Sequence, residues 1–219
     1  MVVGRRLLSL SSRTSQTADV CVVGAGIMGL NVALQLKRRM GEASRVIVLE
    51  RAAGLGCGSS GYSTGFVRAF YSLDETMRLA LDGISAYKNW TTYLRAKDAK
   101  ASFHRTDAIW MLGEEEAFNR EMQHRLASFG VQSDVVDASQ IAERLPLLSL
   151  DPFPLLDGDY NEIAQDLPPL SAVYEHGCGY LDPAACLSDL RDSCVREGVE
   201  VRMNAPAEQF LVEGGRAVE

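Results

Sequence analysis

Three glycines and one carboxylate carry the first chemistry in this sequence. Gly24-Ala25-Gly26-Ile27-Met28-Gly29 has the spacing G-x-G-x-x-G, and Glu50 follows 26 positions after Gly24. Each glycine has a separate task. Gly24 permits a tight turn, Gly26 lets backbone approach a pyrophosphate with no side chain between, and Gly29 lets a helix pack closely on a strand. The helix start then aims unpaired N–H groups and the positive end of its dipole at phosphate. A carboxylate at Glu50 can accept hydrogen bonds from a ribose 2′-hydroxyl, and it argues against NADP because it would repel a 2′-phosphate.

This spacing has meaning only between a strand and a helix. Asp19-Val20-Cys21-Val22-Val23 is a short β-branched run that predicts a strand buried on both faces. Leu30 to Leu36 has helical spacing and leads into Lys37-Arg38-Arg39, cations suited to the negative end of a helix dipole. Gly41 ends that helix. Arg45-Val46-Ile47-Val48-Leu49 predicts the second strand, with Glu50 and Arg51 at its carboxyl end. The longer loop from Gly41 to Ser44 absorbs an offset greater than the usual twenty or so residues. The pattern is that of a dinucleotide-binding βαβ unit, although it does not separate FAD from NAD.

The stretch from Gly56 to Gly65 places four glycines and four Ser or Thr hydroxyls in ten residues. Such a run cannot pack as a core element but can offer many small donors to phosphate and ring oxygens. Taken in order, VVGAGIMGLNVALQL, VIVLE, GSSGYSTGFVR and GCGYLDPAACLSDLRDSCVREGVEVR resemble the glycine/D-amino-acid oxidase-like (DAO) family of FAD-dependent oxidoreductases, which includes sarcosine oxidases and dehydrogenases. The resemblance runs from Val22 to about Arg202. It implies an α/β fold: a Rossmann-like FAD-binding βαβ domain interleaved with an α+β substrate domain that is incomplete here. The expected division is a leader at 1–17, FAD-binding segments at 18–98 and 172–219, and a partial substrate domain at 99–171.

The same resemblance implies FAD as cofactor and oxidation of a C–N or C–O bond beside a carboxylate, with a small amino acid or amine as substrate. It places Ser59, Ser60 and Thr64 against the pyrophosphate and flavin, and Ala207 beside the adenine. Arg68 matches a position that reaches toward the substrate carboxylate, with Tyr71 in the same strip. A guanidinium suits that task because it binds a carboxylate through a bidentate fork. The competing assignment for Arg68 is a surface ion pair with Asp74 or Glu75. No histidine occurs between Gly24 and Ser102, so the flavin is expected to be non-covalent.

Further along, Ser72-x-x-Glu75 reads as a capping box opening a long helix with Met77, Leu81, Ile84, Tyr87 and Leu94 on its buried face. Gly83 inside it suggests a close neighbour. Phe103 to Leu112 predicts a strand, Glu114 to Phe129 a helix with Glu114, Glu115 and Glu116 in a solvated first turn, and Val131 to Val136 a further strand. Five of the seven prolines fall between Pro146 and Pro169, where an irregular lid or connection is expected. Asp157-Gly158-Asp159-Tyr160-Asn161 hints at calcium, but Glu162 and Pro168 stand where an EF-hand needs glycine and glutamate. Asp182 and Pro183 suit a helix start, Gly198 its end, and Val199-Glu200-Val201 a return strand.

Composition removes several classes. With 22 Lys and Arg against 29 Asp and Glu, the net charge is −7, wrong for neutralising a nucleic-acid backbone. No uninterrupted apolar run reaches the roughly 18 residues of a membrane span. The five scattered cysteines suggest neither a disulfide framework nor a zinc site, and His176-x-Cys178 reads as a turn. Residues 1–17 are cationic, hydroxyl-rich and free of acids, which is the composition of a mitochondrial transit peptide.

The chain ends in what reads as the first arm of a hairpin without its return strand, so it is expected to stop short of family length. Three functional readings follow: an FAD-dependent oxidoreductase, which this cut leaves active or inactive; an NAD-dependent dehydrogenase; and a non-catalytic remnant that associates through an unpaired sheet edge. The sequence does not choose an oligomeric state.

Overall fold

The computed structural model describes residues 17–112, 115–151, 155–163, 169–214 and 216–217. The proposed leader therefore lies almost wholly outside the described residues, as does Glu114. In chain order the elements are β1 (Val20–Val23), α1 (Ile27–Met40), β2 (Val46–Leu49), β3 (Phe66–Val67), α2 (Asp74–Lys88), α3 (Trp90–Leu94), β4 (His104–Arg105), β5 (Ala108–Trp110), α4 (Glu116–Ser128), β6 (Ser133–Asp137), α5 (Ala138–Arg144), β7 (Leu155–Leu156), β8 (Glu162–Ile163), β9 (Ser171–Glu175), β10 (Gly179–Tyr180), α6 (Pro183–Arg196), β11 (Glu200–Arg202), β12 (Val212–Glu213) and β13 (Arg216–Ala217).

They form two compact units, one reaching Tyr62 and resuming at Cys186, the other running from Ser63 to Ala185. These limits differ from 98 and 171. The second unit begins earlier because β10 pairs with both β3 and β4, tying residues 66–67 to the segment near 180.

The first unit is an α/β Rossmann-like βαβ arrangement. Its parallel sheet has the order β1-β2-β11, with Val20 opposite Val46 and Val201 opposite Val48. The helix α1 packs on β1 and β2 because Leu30, Ala33 and Leu34 recur on one face and are buried. Buried Lys37 ties the following loop by donating from Nζ to the carbonyls of Glu42 (2.8 Å) and Ser44 (2.5 Å). β2 is buried at Val46, Ile47 and Val48, as an inner strand should be. β1 is not buried on both faces: Cys21 is exposed and Val23 is 49% exposed. The reason is position, since β1 is an edge of this sheet. The chain's last segment also differs from expectation. Val212 pairs with Ala217 and Glu213 with Arg216, so the hairpin has its return arm.

The second unit is α+β. Its antiparallel sheets have the orders β3-β10-β4 and β5-β9-β6, and β7 pairs with β8 as a hairpin. Its main core gathers Ala69, Met77, Ile84, Met122, Leu126, Val131 and Val173. The helical periods of α2 and α4 account for Met77 with Ile84 and for Met122 with Leu126.

The helix α2 begins at Asp74, one turn position later than a Ser72 cap requires, and it has no side-chain cap. Asp74 instead receives Arg125, whose Nη2 and Nε donate to its carboxylate at 2.7 and 2.8 Å. The long helix is interrupted at Asn89, with Tyr87, Trp90 and Tyr93 stacked across the break. A side chain at Gly83 would meet only open space. Asp157 Oδ1 accepts the amides of Asp159 and Asn161, which shapes the turn between β7 and β8. Asp182 caps α6 by accepting the Ala185 amide at 2.8 Å.

The single strand expected from Phe103 to Leu112 is divided between two sheets by Asp107, whose φ is 57°. This carboxylate accepts from Arg105 Nε (2.8 Å), the Gly177 amide (2.7 Å) and Tyr174 Oη (3.2 Å). Burial opposes its charge, but the Arg105 hydrogen bond, the Gly177 amide, the Arg105 charge and the Tyr174 hydroxyl together lower its pKa from 3.8 to about 2. The resulting stabilisation is complete above pH 3.8 and is lost as pH falls through about 2. Asp107→Asn tests this cleanly, because asparagine tolerates positive φ equally well. The variant should lose about 1–2 kcal/mol at neutral pH, after allowing for solvent screening. Its stability, measured by denaturant titration, should flatten across the acid window.

Candidate functional site

The loop from β1 into α1 has the geometry its glycines require. Gly24 has φ +100°, and its amide donates to the Leu49 carbonyl at 2.8 Å. A Cβ on Gly29 would stand 2.0 Å from the Gly24 carbonyl oxygen and 3.5 Å from Val22 Cγ1. The helix therefore comes against the turn itself as well as the strand. Gly26 precedes the first helical residue with extended backbone, and a Cβ there would lie 3.1 Å from Ser60 Oγ.

The amides of this loop are divided among three kinds of acceptor. Ala25, buried, donates to Glu50 Oε2 at 2.8 Å, and Ile27 donates to Ser60 Oγ at 3.0 Å. Leu30 donates to the Gly26 carbonyl, starting the intrahelical ladder. The Gly26, Met28 and Gly29 amides precede that ladder and have no intrahelical acceptor, so the positive end of α1 keeps donors for an anion.

Glu50 sits at the end of β2 and links the loops. Its Oε1 accepts the Ala52 amide at 2.9 Å, while its backbone amide donates to Arg202 and its carbonyl accepts from Ala205. The Ala52 and Ala25 amides hold its carboxyl below the ordinary 4.5, against the opposing effect of burial. It is ionised throughout the neutral range, and each oxygen retains a lone pair for a hydroxyl donor. Arg51 and Ser59 are exposed nearby in sequence, and Ala207 is exposed after β11. Ser60 is the member of the hydroxyl strip brought onto the α1 start. Thr64 is exposed and belongs to the second unit.

Arg68 and Tyr71 also lie in the second unit, where they meet a residue that sequence reasoning missed. The Arg68 guanidinium stands 4.3 Å from the centre of the Tyr71 ring and 4.7 Å from that of Trp110. Its Nη1 donates to the Phe70 carbonyl at 3.0 Å. The ion pair with Asp74 or Glu75 does not form, because Asp74 is taken by Arg125 and Arg68 lies over aromatic faces. Among the described residues no carboxylate is within ion-pair distance of Arg68. Two ring faces steady the cation while leaving its outward donors for an anion. Trp110 was hidden because it lies in another strand; its only local signal is an aromatic in a strand-like run.

FAD-dependent oxidoreductase domain-containing protein 1 of Bos taurus is 26% identical over 200 residues, which is 88% of this chain and 38% of that protein. Its Mus musculus counterpart is 28% identical over 153 residues, 66% of this chain and 31% of that protein. This chain thus spans about a third of the length of the curated relatives it matches. Among solved structures, glycine oxidase from Bacillus cereus superposes with a TM-score of 0.69 at 16% identity, covering 92% of this chain and 50% of that one. L-proline dehydrogenase from P. horikoshii gives 0.70 at 19% identity, covering 91% and 47%. These two likenesses establish the fold. The family model for DAO, FAD dependent oxidoreductase, matches residues 19–219, and the chain accordingly belongs to that family of flavoproteins.

Proposed function

We propose that this chain carries the FAD-binding segment and part of the substrate side of an oxidoreductase acting on the C–N bond of an amino acid or amine. The carrying observation is the α1 start, where donors without intrahelical acceptors and the Glu50 carboxylate are joined through Ala25. The residues fit FAD because glycine at 26 and 29 leaves the loop clear where a Cβ would press on Ser60 or Gly24. Gly24 to Gly29 would hold the pyrophosphate, with Ser59 and Ser60 as hydroxyl donors. Glu50 would take the adenosine ribose, with Arg51 and Ala207 beside it. A bound FAD supplies acceptance of hydride from the C–N bond. The chain's own contribution is orientation: Glu50 fixes one sugar, the amides fix the diphosphate, and Arg68 and Tyr71 fix a substrate carboxylate. Family membership in FAD-dependent proteins disfavours the nicotinamide reading.

Titration with FAD tests the first part. The expected result is a yellow complex with quenched flavin fluorescence; an equal response to NAD would overturn it. Anaerobic bleaching of the bound flavin by amino acids and amines, with the relatives' full length as the comparison, tests the second. Arg68→Lys should leave flavin uptake unchanged and raise KM for carboxylate substrates about tenfold, since lysine has neither the fork nor the flat face. The cationic, hydroxyl-rich first 17 residues support a mitochondrial destination, which a fluorescent fusion of that segment would test.

A further inference from the structure

Among the described residues of the second unit, the most buried carboxylate binds the backbone that follows Arg68. Glu175, at the end of β9, is 1% exposed, and among the described residues it has no cation within ion-pair distance. It is satisfied by N–H donors instead. Oε1 accepts the Ala69 amide at 2.6 Å, and Oε2 accepts both the Phe70 amide (3.2 Å) and Trp110 Nε1 (2.9 Å). One side chain thereby holds the two residues that follow Arg68 and the indole that lies on its guanidinium. Phe70, held by its amide, returns its carbonyl to Arg68 Nη1, and its ring lies 5.4 Å from that of Trp110.

We infer that Glu175 is the positioning residue for the Arg68 anion site. It sets the direction of the guanidinium through Trp110 and the 69–70 backbone, so that the open donors receive a substrate carboxylate. This deepens the reading of Arg68 given above and rests on it. A carboxyl side chain suits the task because its two oxygens can accept several N–H donors at once, and burial removes competing water. If Glu175 served only to satisfy a bend, its loss would lower stability without changing anion affinity in the folded protein.

The test uses the full 219-residue chain and propionate as probe, with propionamide as the uncharged control. Amide NMR signals of Phe70 and Tyr71 report binding, and the Trp110 indole signal, assigned with Trp90→Phe, reports the tether. The expected result is that propionate moves these signals and propionamide does not. Glu175→Gln should shift the indole signal and raise the propionate midpoint about tenfold. Trp110→Phe keeps the ring but cuts the tether, and adding Glu175→Gln in that background should cost less than it does in the parent. Trp110→Phe also keeps the inference testable if Glu175→Gln fails to fold, because it alone should weaken propionate. Parent-like propionate affinity in folded Glu175→Gln overturns the inference, as does strict additivity of the two substitutions. A parent that ignores propionate, with Arg68→Ala indistinguishable from it, instead overturns the carboxylate reading of Arg68, while the indole shift still reads the tether.

Discussion

Gly29→Ala should abolish FAD uptake and lower the thermal midpoint by roughly 10 °C. The added Cβ would stand 2.0 Å from the Gly24 carbonyl oxygen and 3.1 Å from its carbon. Neither atom is the end of a flexible side chain, so backbone must move. Either α1 withdraws from the strand or the Gly24 turn opens, and both carry the first-turn amides away from where a diphosphate would sit. Overpacking of this kind costs about 3 kcal/mol or more, because the interior has no free volume to absorb it. Gly83→Ala is the matched control: it adds the same methyl inside α2, where nothing lies within 4 Å. That variant should gain about 0.5–1 kcal/mol, since alanine favours helix and limits the unfolded chain. Differential scanning calorimetry and FAD titration of the pair would separate a steric effect from a general intolerance of alanine. Equal midpoints for the two variants would refute the packing argument.

Glu50→Gln should weaken FAD binding by roughly 30-fold, corresponding to about 2 kcal/mol. The carboxylate accepts two amides, one on each oxygen. An amide of the same size can accept through only one of its two heavy atoms, so either Ala25 or Ala52 faces another donor. Ala25 is buried, and leaving its N–H unmatched carries a full desolvation cost. A ribose hydroxyl would also lose a charged acceptor. The pH dependence has a definite sign. The folded chain holds the Glu50 carboxyl below its ordinary 4.5, chiefly through the Ala52 and then the Ala25 amide. The stabilisation is therefore complete above pH 4.5 and disappears as pH falls through the lowered value. Glu50→Gln should lack that acid-dependent component, and calorimetry between neutral pH and pH 3 would show whether the two curves converge.

The βαβ unit was legible before any coordinate because its determinants are local. A strand, a turn of specified φ, a helix with period 3.6 and a second strand follow one another in the chain, and each glycine acts on neighbours a few residues away. Gly24 and Gly29 belong together at a separation of five positions, which makes the motif readable as letters. The role of Ser60 was legible only in outline. A hydroxyl-rich strip announces donors and acceptors, but which hydroxyl accepts the Ile27 amide depends on how Gly56 to Gly61 folds back, with Gly61 packed against the Gly56 backbone. Burial of β1 is not legible in the sequence for a related reason. A β-branched run indicates a strand but does not state how many neighbours that strand has.

By itself the sequence determined the family and the α/β class, since these rest on order and short-range spacing, and the same spacing singled out Glu50 as the carboxylate proposed for a ribose. Tertiary structure alone decided what surrounds Arg68. Trp110 reaches Glu175 across 65 positions and Ala69 reaches it across 106. Nothing in the residues near Arg68 specifies that a glutamate at the end of β9 will be folded in behind them. A lone carboxylate in an apolar strand looks the same on paper whether it faces water or three N–H donors. Its meaning is set by burial, and burial belongs to the assembled chain.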